Sequence, residues 1–190
     1  MKKTQLKFAG WLSIISAIIT IPVTKLLMFL HSVDKLEVKF FQMLLIFISV
    51  GLFIYIYLSF KKLLNLKFRF HHVDNCISIL IFGNITLSIL NILSLLIDFQ
   101  NKIFDILFIS IIISLGVVFI IFGLRILQLS HDLFGLLKPF SYTSIIIGLC
   151  YSTIILIPTN ILIPIGVVAD VIGDVILGII FLKAAQNFFY

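Results

Sequence analysis

The sequence predicts an all-α, polytopic membrane helix bundle of six transmembrane helices. Three observations carry this. Hydrophobic residues make up 62% of the 190-residue chain and charged residues 12%, with a mean hydropathy of +1.27. Soluble domains run about 45–50% apolar and about 25% charged, and one compact core of this size cannot hide the excess. Apolar runs recur at the roughly 20-residue length that a bilayer requires. Lys and Arg collect in alternate gaps between those runs. Together these exclude a soluble enzyme, a nucleic-acid binder and a disordered chain. Six spans use about 120 residues, which leaves short loops and tails around one integral membrane domain over residues 1–190.

The first span is Phe8–Leu30. Basic residues precede it, as in a signal peptide, but the run is too long for a typical h-region and has no A-x-A-like site, so an uncleaved span is expected. Pro22 frees the carbonyl of Ile18, with Thr20 and Thr24 placed to help satisfy the backbone. The second span is Phe40–Phe60. Lys61–Asn75 follows, interleaving basic residues with Leu and Phe, and reads as a topology-setting loop or a lipid-contacting interfacial segment. The third and fourth spans are Cys76–Ile97 and Ile103–Leu127. The fifth is Phe140–Ile157 and the sixth Ile161–Lys183, with Pro158, Thr159, Asn160 and Pro164 forming a short turn between them.

A weak periodicity groups the spans into three helical hairpins. Leu6-Lys7-Phe8, Leu66-Lys67-Phe68 and Leu137-Lys138-Pro139 precede the odd-numbered spans. Gly51, Gly116 and Gly173 each lie about ten residues before a terminal basic residue in the even-numbered ones. Any series of inside–outside–inside hairpins also places Lys at its inner ends, so a true internal repeat and a topological coincidence both fit.

With the N-terminus inside, the inner segments hold Lys2, Lys3, Lys7, Lys61, Lys62, Lys67, Arg69, Arg125, Lys138 and Lys183. The outer ones hold only Lys25, Lys35, Lys39 and Lys102. Both termini are therefore expected in the cytoplasm, as for an inner-membrane protein of a bacterium. Trp11, Tyr142 and Tyr190 fall near inner span ends, where amphipathic rings favour the interface. The net charge of +6 points to anionic lipid rather than nucleic acid, with Lys61, Lys62, Lys67 and Arg69 as headgroup contacts.

Asp170 and Asp174 are the most informative residues. Both fall well inside the sixth span, where a carboxylate costs several kcal/mol and usually faces the bundle interior. Their i, i+4 spacing puts them on one helix face, Gly166 and Gly178 extend that line, and Ala169 with Gly173 makes a small-xxx-small pair beside it. Counted from Pro164 at about 1.5 Å per residue, Asp174 lies near the midplane and Asp170 nearer the outer end. The face is either a proton or cation site or a hydrogen-bonded clasp between helices. Lys25 is the nearest candidate counter-charge, by a salt bridge to Asp170 or by snorkelling outward. Asn84, Ser88 and Asn91 form a polar stripe in the third span that joins helices or lines a pathway.

No catalytic or cofactor signature is present. GxSxG, HExxH and a phosphate-binding glycine loop are absent, and the DxxxD spacing lacks the second acidic motif of membrane prenyltransferases. Cys76 and Cys150 form no CxxC. His31, His71, His72 and His131 lie at span ends, and His71-His72 with Asp74 is only a weak metal-like cluster. The expected function is a non-catalytic membrane component: a scaffold, an assembly factor or a subunit paired with another membrane protein or a second copy. The alternative is a small transporter or channel built on Asp170, Asp174, Lys25, Asn84, Ser88 and Asn91. The contents of the space around the two carboxyls decide between them.

Overall fold

Six helices account for nearly all of the described chain in the computed structural model, which describes residues 2–30, 35–96, 102–130, 132–154 and 159–187. They are α1 (Lys3–Leu30), α2 (Leu36–Lys67), α3 (Asp74–Leu96), α4 (Lys102–Ile126), α5 (Leu137–Ser152) and α6 (Thr159–Gln186). Five of them, all but α5, contain stretches long and apolar enough to cross a membrane. Each helix also keeps an exposed apolar stripe, such as Ile15 and Ile18 on α1, Phe47 and Ile48 on α2 or Val168, Ile172 and Val175 on α6. A helix with apolar residues both inward and outward is the form that lipid, not water, surrounds. The chain is a membrane-spanning helical bundle.

Neighbours in sequence pack side by side, and α6 returns against α1, so the six helices form a closed ring. Contacts along each pair run antiparallel: Asn65 meets Asp74 and Lys61 meets Ser78 between α2 and α3, and Tyr151 meets Asp170 between α5 and α6. The starts of α1, α3 and α5 and the finishes of α2, α4 and α6 therefore share one end, which carries most of the Lys and Arg and is called the basic end below.

The three expected hairpins are present as antiparallel neighbours, yet the closest backbone approaches lie between hairpins. A Cβ on Gly116 would sit 2.6 Å from the Ser152 nitrogen and 2.8 Å from the Gly148 carbonyl, and one on Gly148 would sit 2.6 Å from the Gly116 carbonyl. Gly10 and Gly178 meet in the same way, each Cβ position about 3 Å from the other's carbonyl oxygen. Only glycine lets helices close to this distance, and without a hydrophobic force between helices in lipid such packing is what binds them. The three periodic glycines are not equivalent. Gly51 has open space around it, Gly116 faces α5 backbone, and Gly173 only touches Thr143 and Ile147.

Some boundaries differ from the sequence reading. α2 continues to Lys67, because Phe60, Leu63 and Leu64 stay fully inside while Lys62 and Lys67 reach outward. An amphipathic helix thus replaces the first half of the loop expected over Lys61–Asn75. Its end is closed by the Phe68 and Phe70 N–H groups, which both donate to the Leu64 carbonyl around a left-handed Arg69 (φ 50°). Thr159, Asn160 and Pro164 belong to α6, not to a turn; the carbonyl freed by Pro164 is that of Asn160, in the first turn, where the ladder is loosest. Pro158, His31, His131 and Tyr190 lie outside the described residues. Around Pro22 the hydroxyls of Thr20 and Thr24 donate to Ser16 and Thr20 carbonyls, not to Ile18, since a helical threonine reaches the carbonyl four residues back.

The dry core occupies the basic end. Phe60 sits among Phe140, Phe181 and Phe122, with ring centroids 5.1, 6.3 and 6.4 Å away. Leu6, Ile77, Leu80, Ile126, Leu133 and Ala184 surround this cluster, all fully buried. Loop contacts brace the same end: Arg125 donates to the His72 carbonyl at 2.8 Å, Lys183 donates to the Phe134 carbonyl at 3.2 Å, and Lys67 lies 4.7 Å from the Phe134 ring centre.

Candidate functional site

Away from the aromatic cluster the ring of helices does not close on itself. It encloses a cavity of about 610 Å³ to which all six helices contribute. Its floor is formed by Phe140 and Tyr57, and its walls extend to Leu27, Asn91 and Phe108. Most lining side chains are apolar, but Ser16, Thr20, Thr24, Ser49, Ser144 and two tyrosines interrupt them.

Asp170 and Asp174 both line this cavity. The midpoint of α6 falls between Ile172 and Gly173, so the two acids straddle it; α6 begins before Pro164, which shifts both deeper into the helix than the sequence count placed them. Their largely buried side chains line the cavity, while Val168, Ile172 and Val175 take the lipid side of the same helix. Asp170 accepts a hydrogen bond from the Tyr151 hydroxyl at 3.0 Å. Asp174 shares the cavity wall with Ser16, and its backbone carbonyl accepts from the fully buried Ser13 hydroxyl at 2.8 Å. Ser13, Gly10 and Gly178 belong to one seam, so the tight α1–α6 contact is what holds Asp174 in place.

Asn84, Ser88 and Asn91 line the same cavity from α3. The structure therefore brings together two features more than 75 residues apart in the chain. The Ser88 hydroxyl donates to the Asn84 backbone carbonyl of its own helix at 2.8 Å. Lys25 does not join them. It is exposed on α1, does not line the cavity and forms no salt bridge with Asp170 among the described residues. Its long stem reaches outward, the snorkelling alternative.

Tyr57 and Tyr151 escaped the sequence reading. Tyr57 is 6% exposed and lines the cavity, stacked on Phe53 with centroids 4.3 Å apart. Tyr151 packs edge-on to Phe119 at 6.0 Å. The available signal was a phenolic hydroxyl deep in an apolar span, which requires a polar partner or a polar space.

Of the lipid-headgroup candidates, Lys62, Lys67 and Arg69 are exposed at the basic end and Lys61 is half-buried, donating to the Ser78 hydroxyl at 3.3 Å. Asp74 near them accepts two bonds from the Asn65 amide at 3.0 Å and lies 3.2 Å from His71 Nδ1. No three His, Cys, Asp or Glu side chains converge as a metal site among the described residues. A wider groove of about 910 Å³ runs between α3 and α4 on the outer surface. Its hydroxyls, on Ser78, Thr86, Ser110 and Ser114, all donate to carbonyls of their own helices, so it offers apolar surface rather than a polar site.

Comparison of the chain with protein-family models, curated proteins and solved structures returns no match.

Proposed function

We propose that the protein is a small membrane transporter whose central cavity holds the transported solute and whose Asp170 and Asp174 carboxyls bind a proton or cation. One observation carries the reading: the two intramembrane acids line a cavity that all six helices build, instead of closing a dry helix contact. Pockets of roughly 300–1,000 Å³ suit small molecules. Intramembrane carboxylates that face such a space commonly mark ion or proton pathways. A scaffold or assembly factor needs neither feature, and the aromatic cluster at the basic end closes the cavity on one side, as one state of an alternating-access carrier requires.

We place both termini in the cytoplasm of a bacterial cell, with the protein in the inner membrane and anionic lipid around its basic end. Ten of the fourteen Lys and Arg residues fall at that end, which supports the orientation.

The test is access of water to the cavity. In a variant lacking Cys76 and Cys150, single cysteines replace Ser16, Ser88 or Ser144 on cavity walls, and Ile18 or Phe82 on the lipid face. In native membranes a water-soluble, charged thiosulfonate reagent should modify the first set and spare the second. Protection of all three cavity positions would return the protein to the scaffold class.

A further inference from the structure

The cavity is larger than a proton or bare metal cation needs, and its walls say what kind of molecule fills it. Its described lining carries two carboxyls and no Lys, Arg or His, so nothing there balances an anion. Tyr57 of α2, nine-tenths buried, lines the same cavity, and its hydroxyl has no hydrogen-bond partner among the described residues. It lies within electrostatic reach of both Asp170 and Asp174. The hydroxyl oxygen is open to the cavity rather than enclosed, so a molecule in the cavity can reach it as a hydrogen-bond partner. Two pairs of rings line the cavity with the acids, Phe53 with Tyr57 and Phe119 with Tyr151. A cation over such faces gains roughly 0.5–2 kcal/mol, more when desolvated.

We infer that the solute is an organic cation, an amine or quaternary ammonium on an apolar body, held between the Asp170–Asp174 pair and the ring faces of Tyr57 and Tyr151. The Asn84 amide on the far wall supplies a polar contact for the other end of the molecule. This rests on the transport reading above and adds the substrate class to it.

Binding of radiolabelled benzyltrimethylammonium to the purified full-length protein tests the inference. Saturable binding is expected, competed by unlabelled probe but not by sodium benzenesulfonate at equal concentration. Tyr57→Leu should weaken binding about tenfold, the equivalent of roughly 1.4 kcal/mol, whereas Tyr57→Phe, which keeps the ring face and loses only the hydroxyl, should weaken it by a smaller factor of about threefold. The Asp170→Asn/Asp174→Asn double variant should lose binding. Asp174→Asn alone keeps shape and hydrogen bonding, and should weaken binding while leaving the melting temperature unchanged. Absence of saturable binding by the native protein, equal competition by benzenesulfonate, or undiminished binding in the double Asn variant would each overturn the inference. If the cavity cysteines are modified but no organic cation binds, the substrate class falls and the transport reading stands. If they are protected, the transport reading itself falls.

Discussion

Asp174 is anchored through its backbone, whose carbonyl takes the Ser13 hydroxyl, while its carboxyl lines the cavity beside Ser16. Asp170 has a single protein donor, the Tyr151 hydroxyl. The Gly10–Gly178 seam, not the Asp174 carboxyl, closes the α1–α6 contact, whereas the Asp170 carboxyl bridges α6 to α5 through Tyr151. Asp174→Asn should therefore leave yield and melting temperature close to those of the native protein while abolishing transport, checked by thermal unfolding in detergent beside a growth or flux readout. Asp174→Leu should destabilise by no more than the loss of one hydrogen bond, about 0.6 kcal/mol on average in membrane bundles. A drop of several kcal/mol would show that the acid is a clasp after all. The i, i+4 placement of the acids was legible in the sequence, since it follows from helix geometry alone. Their partners were not, because packing alone decides that Ser13, 161 residues from Asp174, and Tyr151, on the neighbouring helix α5, meet them.

At the scale of the helix, two seams carry the close packing: α4 with α5 through Gly116, Gly123 and Gly148, and α1 with α6 through Gly10 and Gly178. Gly116 and Gly51 occupy matching places in the hairpin pattern but differ in surroundings, which gives a paired test. Gly116→Ala would set a methyl within 3 Å of α5 backbone atoms and should cost about 1–3 kcal/mol. Gly51→Ala meets nothing within 4 Å and should be neutral or stabilising by up to ~1 kcal/mol. Differential scanning fluorimetry of the two variants measures both, and equal effects would contradict the seam model. The second element-scale prediction concerns the end of α2. Replacing Lys61, Lys62, Lys67 and Arg69 together with Gln should weaken retention of anionic lipid by the purified protein, most visibly at low salt. Native mass spectrometry reads this directly, and unchanged retention would reject the headgroup assignment. Lys61 should contribute least, because its amino group is already engaged with Ser78.

For the molecule as a whole, the ring has a packed half and a hollow half. Phe60 is the hub of the packed half, touching rings from α4, α5 and α6. Phe60→Ala should cost about 3–5 kcal/mol and lower the melting temperature more than any cavity-wall substitution. The packed half coincides with the basic end, so in the proposed orientation the aromatic cluster lies toward the cytoplasm and the cavity toward the outside. Reporter fusions after Tyr190 and within the segment around Lys102 should report opposite sides, with the first cytoplasmic. The same side for both would sink the topology.

Hydropathy, length and charge asymmetry are sums over adjacent residues, so the sequence by itself determined the membrane setting, the number of helices and the expected sidedness. It also determined that α6 presents two acids on one face, since only the helical period is needed for that. It could not determine which helices would close the ring. That depends on whether two distant glycine-bearing faces match, as Gly10 matches Gly178 and Gly116 matches Gly148. Tertiary structure alone decided that Asn84 and Ser88 share a cavity with Asp170 and Asp174, that Tyr57 and Tyr151 complete its wall, and that Lys25 stays outside. The choice between a dry clasp and an open site lay with packing for the same reason. The α1–α6 and α4–α5 seams draw their helices together, and the space in which the acids stand lies inside the ring that those seams help to close.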